Sequence, residues 1–280
     1  MKRKIGIVVD STFGLTQDMI QQESISIVPL KVIIDQKEYV DGTLSPEALV
    51  EALRADRDVK TSQPAPDQFI EAYKAQLSQF DAVICLTISK TLSGTINSAT
   101  LARDILDHPN IHVVDTESCI MGSAYLTEKL IAFLENEPSI PDALAYLDHL
   151  QNQGSIVFTV DNLQTLVKNG RLGKVQAMIG NILKIKPILR FRRGVLDLEH
   201  KARSFKNVIL YLVKETKKLE ELGKVIVRIG YVDQSLGAKE LEHEIFQEIP
   251  GCDIHITGYI SPVISAHVGL GGLGIYIAYE

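Results

Sequence analysis

Four short polar segments of this chain carry residue types that hold or transform small molecules. Asp10-Ser11-Thr12 follows a first apolar run. Thr61-Ser62-Gln63-Pro64 stands just before a helix start at Pro66. Ser93-Gly94-Thr95 lies between an apolar run and a helical pattern, and Asp115-Thr116-Glu117-Ser118 occupies a similar junction. Hydroxyls beside the free N–H groups of a helix start make an anion site. Gly94, with no Cβ, lets a ligand approach the backbone. A simple Ser or Thr helix cap is the plainer reading of the same residues. Arg171, in Asn169-Gly170-Arg171, Arg203, after a hairpin, and His267, in a glycine-rich loop over 265–272, add cations and an imidazole. Ser93 as nucleophile with His267 as base is the alternative chemistry, an acyl hydrolase or acyltransferase. It requires the two in contact and a third group orienting the ring.

Other motifs fail on context. Gly269, Gly271 and Gly274 match G-x-G-x-x-G, but they lead into a terminal strand at 275–279, and a dinucleotide fingerprint must follow a strand and open a helix. The P-loop, H-E-x-x-H and G-x-S-x-G patterns are absent, so no cofactor is expected. His108 and His112 are separated by Pro109, which breaks any helix between them, so no metal site is expected. Cys85, Cys119 and Cys252 are widely spaced and form no C-x-x-C, which argues against a disulfide framework.

The elements that must position these residues alternate in the first half. Strands are expected at 5–9, 82–88 and 111–115, and helices at 95–106, 118–135 and 141–150. Ser45 caps a further helix with Pro46 at its first position, and Pro66-Asp67 starts another with Phe69, Tyr73 and Leu77 on one face. Apolar strands separated by helices imply a parallel sheet covered on both faces, and open sheets of this kind bind ligands beyond their carboxyl ends. Residues 25–40 read as an irregular β excursion or hairpin. In the second half, strands at 155–160, 225–232, 253–258 and 275–279 mix with a hairpin turning at Gly194 and helices at 162–168, 174–183, 204–222 and 236–247. The expected architecture is α/β with two domains. Residues 1–153 form a parallel-sheet α/β domain and 154–280 an α+β domain, joined by a linker at 151–154, with a ligand cleft between them.

The chain has 280 residues, a size for one large or two modest domains. Its hydrophobic content of 45% and charged content of 23% are those of a globular protein and exclude disordered and collagen-like classes. A net charge of −6 lacks the footprint of a nucleic-acid binder. Met1 to Lys4 is basic, but the apolar stretch behind it ends at Asp10, too short for a signal sequence. The expected location is cytoplasmic.

Taken in order, these segments resemble the DegV family of bacterial fatty-acid-binding proteins along essentially the whole chain. The resemblance rests on Asp10-Ser11-Thr12, Thr61 to Pro64, Ile88 to Thr95 with Asn97-Ser98-Ala99, Val114-Asp115, Leu163 to Arg171, Gly180 to Ile188, Gly194, Lys201-Ala202-Arg203 and His267-Val268-Gly269. It implies a non-catalytic carrier that encloses one long-chain fatty acid between two domains. A separate ATP-dependent kinase would phosphorylate the bound carboxylate for phospholipid synthesis, and the carrier itself would not bind ATP. On this resemblance Thr61, Ser93, Gly94, Thr95 and His267 hold the carboxylate, while Arg171, Arg203, Ser62, Asp10 and Ser11 lie near it or face the kinase. Transient contact with a membrane surface is a further expectation. Tunnel walls are expected from residues 178–189 and from Ile264 or Val268. The sequence departs from the family pattern at Leu270, where a proline is usual, and at Met121 and Ser123, where more glycine is usual.

Overall fold

A computed structural model of the chain describes residues 4–161, 163–172 and 185–280. The first sheet is parallel. Strand β1 (Ile5–Asp10) lies between β2 (Ser26–Val28) and β6 (Ala82–Thr87), and β7 (Ile111–Asp115) follows β6. Side chains alternate along β1. Ile5, Ile7 and Val9 pack with Leu126 and Leu130 of α5 (Ile120–Leu134) and Leu147 of α6 (Ile140–Gln153). Val8 packs on the opposite face with Phe69 and Tyr73 of α3 (Pro66–Leu77) and Ala99 of α4 (Thr95–Leu106). Burial on both faces explains why β1 and β6 read as unbroken apolar runs.

Residues 25–40 divide between two sheets. After β2 joins the parallel sheet, β3 (Lys31–Ile34) and β4 (Lys37–Val40) form a hairpin, and β5 (Val59–Ser62) adds to its other edge in the order β4-β3-β5. Strand β5 was not expected, because Val59-Lys60-Thr61-Ser62 holds one apolar residue and no alternation to read. Helix α1 (Gln17–Gln22) connects β1 to β2, and α2 (Pro46–Arg54) starts as expected, with Ser45 Oγ accepting from Ala48 N.

The third sheet is mixed and six-stranded. Its strands are β8 (Gly154–Thr159), β9 (Lys186–Arg192), β10 (Val195–Ala202), β11 (Val225–Tyr231), β12 (Asp253–Tyr259) and β13 (Leu273–Tyr279), in the order β10-β9-β8-β13-β11-β12. Only β11 and β12 pair in parallel. Val227, Ile229, Ile275 and Ile277 face α8 (Phe205–Lys217) and α9 (Ser235–Glu248). On the other face Ile156, Phe191, Ile226 and Tyr276 pack with Ile120, Met121 and Tyr125 of α5, which joins the two halves of the chain.

Two expectations need correction. The linker at 151–154 is not a loop, since α6 runs to Gln153 and β8 begins at Gly154. The glycine-rich segment at 265–272 is helical in its first part. Helix α10 (Pro262–Val268) carries His267 in its last turn, and only the glycines after it form a turn. The expected helix at 174–183 lies outside the described residues. Helix α10 also crosses between the halves, since Val263 and Ala266 pack with Leu30, Val32, Leu49 and Val59 of the N-terminal elements.

Candidate ligand cavity

A cavity of about 360 Å³ lies between the six-stranded sheet, the first turn of α5, β5 and α10. Most of its wall is apolar. Ile156, Phe158, Phe191, Leu196 and Leu273 come from the sheet, Ile120 and Met121 from α5, and Ile264 and Val268 from α10. Its polar side chains are Thr61, Ser62, Gln63, Ser93, Arg171 and His267. The volume and the apolar wall with a few convergent polar groups are those of a small-molecule site.

Thr61 and His267 are 206 residues apart and meet at 2.8 Å between Oγ1 and Nε2. Thr61 reaches the site because β5 pairs with β3, Thr61 opposite Val32. His267 reaches it because the apolar face of α10 is buried against the same strands. Burial, reinforced by the Arg171 charge, lowers the His267 pKa to about 4, so the ring is neutral near pH 7. Its Nδ1 is buried with no hydrogen-bond partner among the described residues. With the ring proton on Nε2, the imidazole donates to Thr61 Oγ1 and leaves the hydroxyl proton for an anion in the cavity. The other tautomer accepts that proton instead.

Ser93 sits where the loop after β6 turns into α4. Its Oγ lies 2.9 Å from Thr95 Oγ1 and accepts from Thr95 N. The backbone N–H groups here are largely engaged, with Ser93 N donating to Ser89 O and Asn97 N to Gly94 O. What this loop turns to the cavity is the Ser93 side chain rather than a fan of free helix N–H groups. Gly94 is confined from the side, since a Cβ there would lie 2.1 Å from Gln63 Oε1. Gln63 is held in turn by a 3.0 Å bond from Nε2 to Ser98 Oγ. The group that approaches the Gly94 backbone is thus a side chain of this protein. Gln63 stood within a recognised segment but had no role assigned; nothing local in the sequence pairs it with Gly94.

Arg171 is partly buried on the wall, not free at a mouth. Its Nε donates to Leu92 O at 3.2 Å and its Nη1 to Asn169 O at 2.5 Å. Both partners are neutral carbonyls, and among the described residues no carboxylate forms a salt bridge with the guanidinium. Thr95 is fully buried behind Ser93 and does not line the cavity, and Arg203 is exposed and does not line it either. Asp10 and Ser11 are braces. Asp10 accepts from Ile88 N at 2.6 Å and from Thr12 N at 3.0 Å, tying the end of β1 to the end of β6. Ser11 Oγ accepts from Leu30 N and donates to Asp41 Oδ2 at 2.7 Å. Burial pushes both carboxyls, Asp10 and Asp41, up to about 6. Of the expected tunnel walls, Ile264 and Val268 line the cavity, Ile188 and Leu189 belong to the packed core, and 178–184 lie outside the described residues.

A Ser/His catalytic pair is not assembled here. Ser93 Oγ lies against Thr95, His267 against Thr61, and no acid among the described residues bonds the far nitrogen of the ring. Cys119 lines the cavity, but burial pushes its thiol up to about 12, so it is protonated at neutral pH. Among the described residues no group of three His, Cys, Asp or Glu side chains is placed to hold a metal ion, and no helix is long and apolar enough to cross a membrane.

A family model described as "Uncharacterised protein, DegV family" matches residues 4–280. The chain belongs to the DegV family. A DegV domain-containing protein of Staphylococcus aureus is 34% identical over 279 residues, covering 97% of each chain. Among solved structures, a DegV protein of Thermus thermophilus described by its fatty acid binding superposes with a TM-score of 0.93 at 28% identity, over 99% of this chain and 100% of that one. The B3 protein of the Streptococcus pneumoniae fatty acid kinase, loaded with linoleic acid, superposes with a TM-score of 0.84 at 26% identity, over 99% of this chain and 100% of that one. The expected DegV fold is therefore present, with a parallel sheet in the N-terminal part and a mixed sheet in the C-terminal part.

Proposed function

We propose that this DegV chain binds one long-chain fatty acid in its cavity and presents the carboxylate to a separate ATP-dependent kinase that forms the acyl phosphate. The observation that carries the reading is an apolar cavity whose polar side chains converge from β5, α10, the Ser93 loop and Arg171. The solved relatives add that proteins of this fold bind fatty acids, and that one is a component of a fatty acid kinase.

The energetics are consistent. Burying about 15 methylenes contributes on the order of 12 kcal/mol gross, at about 0.8 kcal/mol each. Association and ordering of the chain take back several kcal/mol. An unpaired carboxylate in such a cavity costs several kcal/mol more. Arg171 and the hydroxyls of Ser93 and Thr61 supply the charge and donors that offset that cost. A ligand held in this way keeps its carboxylate at the polar end, where a second protein can reach it. The chain's own part is to bind, orient and shield.

The test is mass spectrometry of the purified protein, native and then after organic extraction. A stoichiometric fatty acid released intact supports the carrier. A protein that arrives empty and takes up neither oleate nor palmitate overturns it. The kinase step is tested by adding a fatty acid kinase catalytic subunit and ATP to the loaded protein. Acyl phosphate should form only when all three are present.

A further inference from the structure

We propose that the tip of the β9–β10 hairpin, Arg193-Gly194, positions Ser93 through Thr91 and Ser89, an inference that rests on the fatty-acid reading above. The stem of this hairpin lines the cavity with Phe191 and Leu196, but its tip does not. The tip reaches the N-terminal half instead, at the loops that follow β6 and β7. Arg193 and Gly194 have φ of +50° and +72°, the left-handed pair that a two-residue hairpin turn of type I′ requires. Both backbone groups of Gly194 are spent on the other half of the chain. Its N–H donates to Glu117 O at 2.9 Å, and its carbonyl accepts from Thr91 Oγ1 at 2.8 Å. Arg193 fastens the same tip. Its Nε lies 2.7 Å from Glu117 Oε2, and its Nη1 donates to Asp148 Oδ1 at 3.0 Å and Gln151 Oε1 at 2.7 Å, both on α6.

The hydrogen bonds beneath the tip run in one direction. Thr91 Oγ1 gives its proton to Gly194 O, so its 3.0 Å contact with Ser89 Oγ is donated by Ser89. Ser89 is fully buried, and its Oγ in turn accepts from Thr91 N at 3.4 Å. The tip also rests directly on Ser89, since a Cβ at Gly194 would lie 3.3 Å from Ser89 Oγ. From Ser89 the constraint passes along the backbone. Ser89 N donates to Ser118 O at 2.9 Å, and Ser89 O accepts from Leu92 N at 2.9 Å and from Ser93 N at 3.2 Å. Leu92 O accepts from Arg171 Nε. The loop that offers Ser93 from the N-terminal half is therefore held by the C-terminal half at two adjacent residues, Thr91 and Leu92. Hydrogen bonds weaken steeply when bent or stretched, and a binding group keeps its geometry only through the residues that support it. The hairpin tip supplies that support without touching the ligand.

The experiment is a double-mutant cycle on the full chain stripped of lipid, read as the dissociation constant for oleate by displacement of a fluorescent fatty acid. Ser93→Ala removes the hydroxyl at the end of this chain of contacts and should weaken binding about 10- to 150-fold, the factor for one hydrogen bond to a charged group. Thr91→Val removes the link to the tip and should weaken wild-type binding at least about threefold. In the Ser93→Ala background the same change should alter binding by less than about twofold, because it acts through Ser93. Thr91→Ser keeps the hydroxyl and should bind as wild type does. If Thr91→Val does not fold, Arg193→Ala goes through the same cycle. Equal weakening with and without the Ser93 hydroxyl, wild-type affinity in Thr91→Val, or wild-type affinity in Ser93→Ala overturns the inference while the fatty-acid reading stands. A wild-type protein that binds neither oleate nor palmitate overturns that reading and this one with it.

Discussion

Replacing Thr61 with valine tests the polar end of the cavity at its central contact. The two side chains have nearly the same shape, and valine is at home in a β-strand. The change therefore removes a hydroxyl and little else from β5. In the structure that hydroxyl lies 2.8 Å from His267 Nε2 and faces the cavity. A hydrogen bond to a charged group contributes about 1.5–3 kcal/mol, so fatty-acid affinity should fall about 10- to 150-fold. The same change strands His267 Nε2 beside an Nδ1 that already has no partner among the described residues. Leaving it unpaired costs about 1–3 kcal/mol of stability, and each kcal/mol lowers the melting temperature by about 2–4 °C in domains of 150–250 residues. Displacement of a fluorescent fatty acid gives the affinity, and thermal melting of the lipid-free protein gives the stability. Thr61→Ser, which keeps the hydroxyl, should behave as wild type in both. A fatty alcohol of the same length should bind Thr61→Val nearly as well as it binds wild type, because the lost contact serves the carboxylate. Fatty-acid affinity within about twofold of wild type, alongside a lowered melting temperature, would refute the assignment of Thr61 to the carboxylate and leave it a purely structural partner of His267.

Two further outcomes follow from the same geometry. His267, lowered to about 4, lacks a proton that the unfolded chain binds between about pH 4 and 6.5, so acidification costs stability through it at about 1.4 kcal/mol per pH unit. Asp10 and Asp41, raised to about 6, act in the opposite sense, since the folded chain holds their protons and their contribution is lost as pH rises through 6. Between about pH 6.5 and 5, the wild type should therefore lose about 1.5 kcal/mol relative to His267→Gln in urea denaturation, and parallel pH profiles would contradict a buried neutral ring. Gly94→Ala places a methyl 2.1 Å from Gln63 Oε1 and should cost about 1–3 kcal/mol by thermal melting. Most of that should return in Gln63→Ala/Gly94→Ala, and an equal cost with and without Gln63 would rule out the contact.

Local order was readable where a single stretch decides it. The apolar runs ending in Asp10 and Thr87 read as strands buried on both faces, and with the shorter edge strand ending in Asp115 they form the parallel sheet. Ser45 with Pro46, and Pro66, start helices because a cap hydroxyl and a proline suit that position whatever lies around them. Strand β5 escaped because its identity comes from pairing with β3, not from its own pattern. Helix α10 looked like loop because its seven residues sit beside three glycines, and its helicity is secured by packing on N-terminal strands.

The site divides along the same line. By itself the sequence determined which hydroxyls, cations and imidazole were available, and its order of motifs identified the family. Only the tertiary structure decided that Thr61 meets His267, that Gln63 covers Gly94, and that Arg171 lines the cavity with its guanidinium bonded to Leu92 O. It also placed Thr95 behind Ser93, set Asp10 and Ser11 as braces, and left Arg203 in solvent. The physical reason is that periodicity reports which face of an element is removed from water. An isoleucine on a sheet reads the same whether that face meets a packed core or a space for a ligand, and only the docking of the two halves distinguishes them.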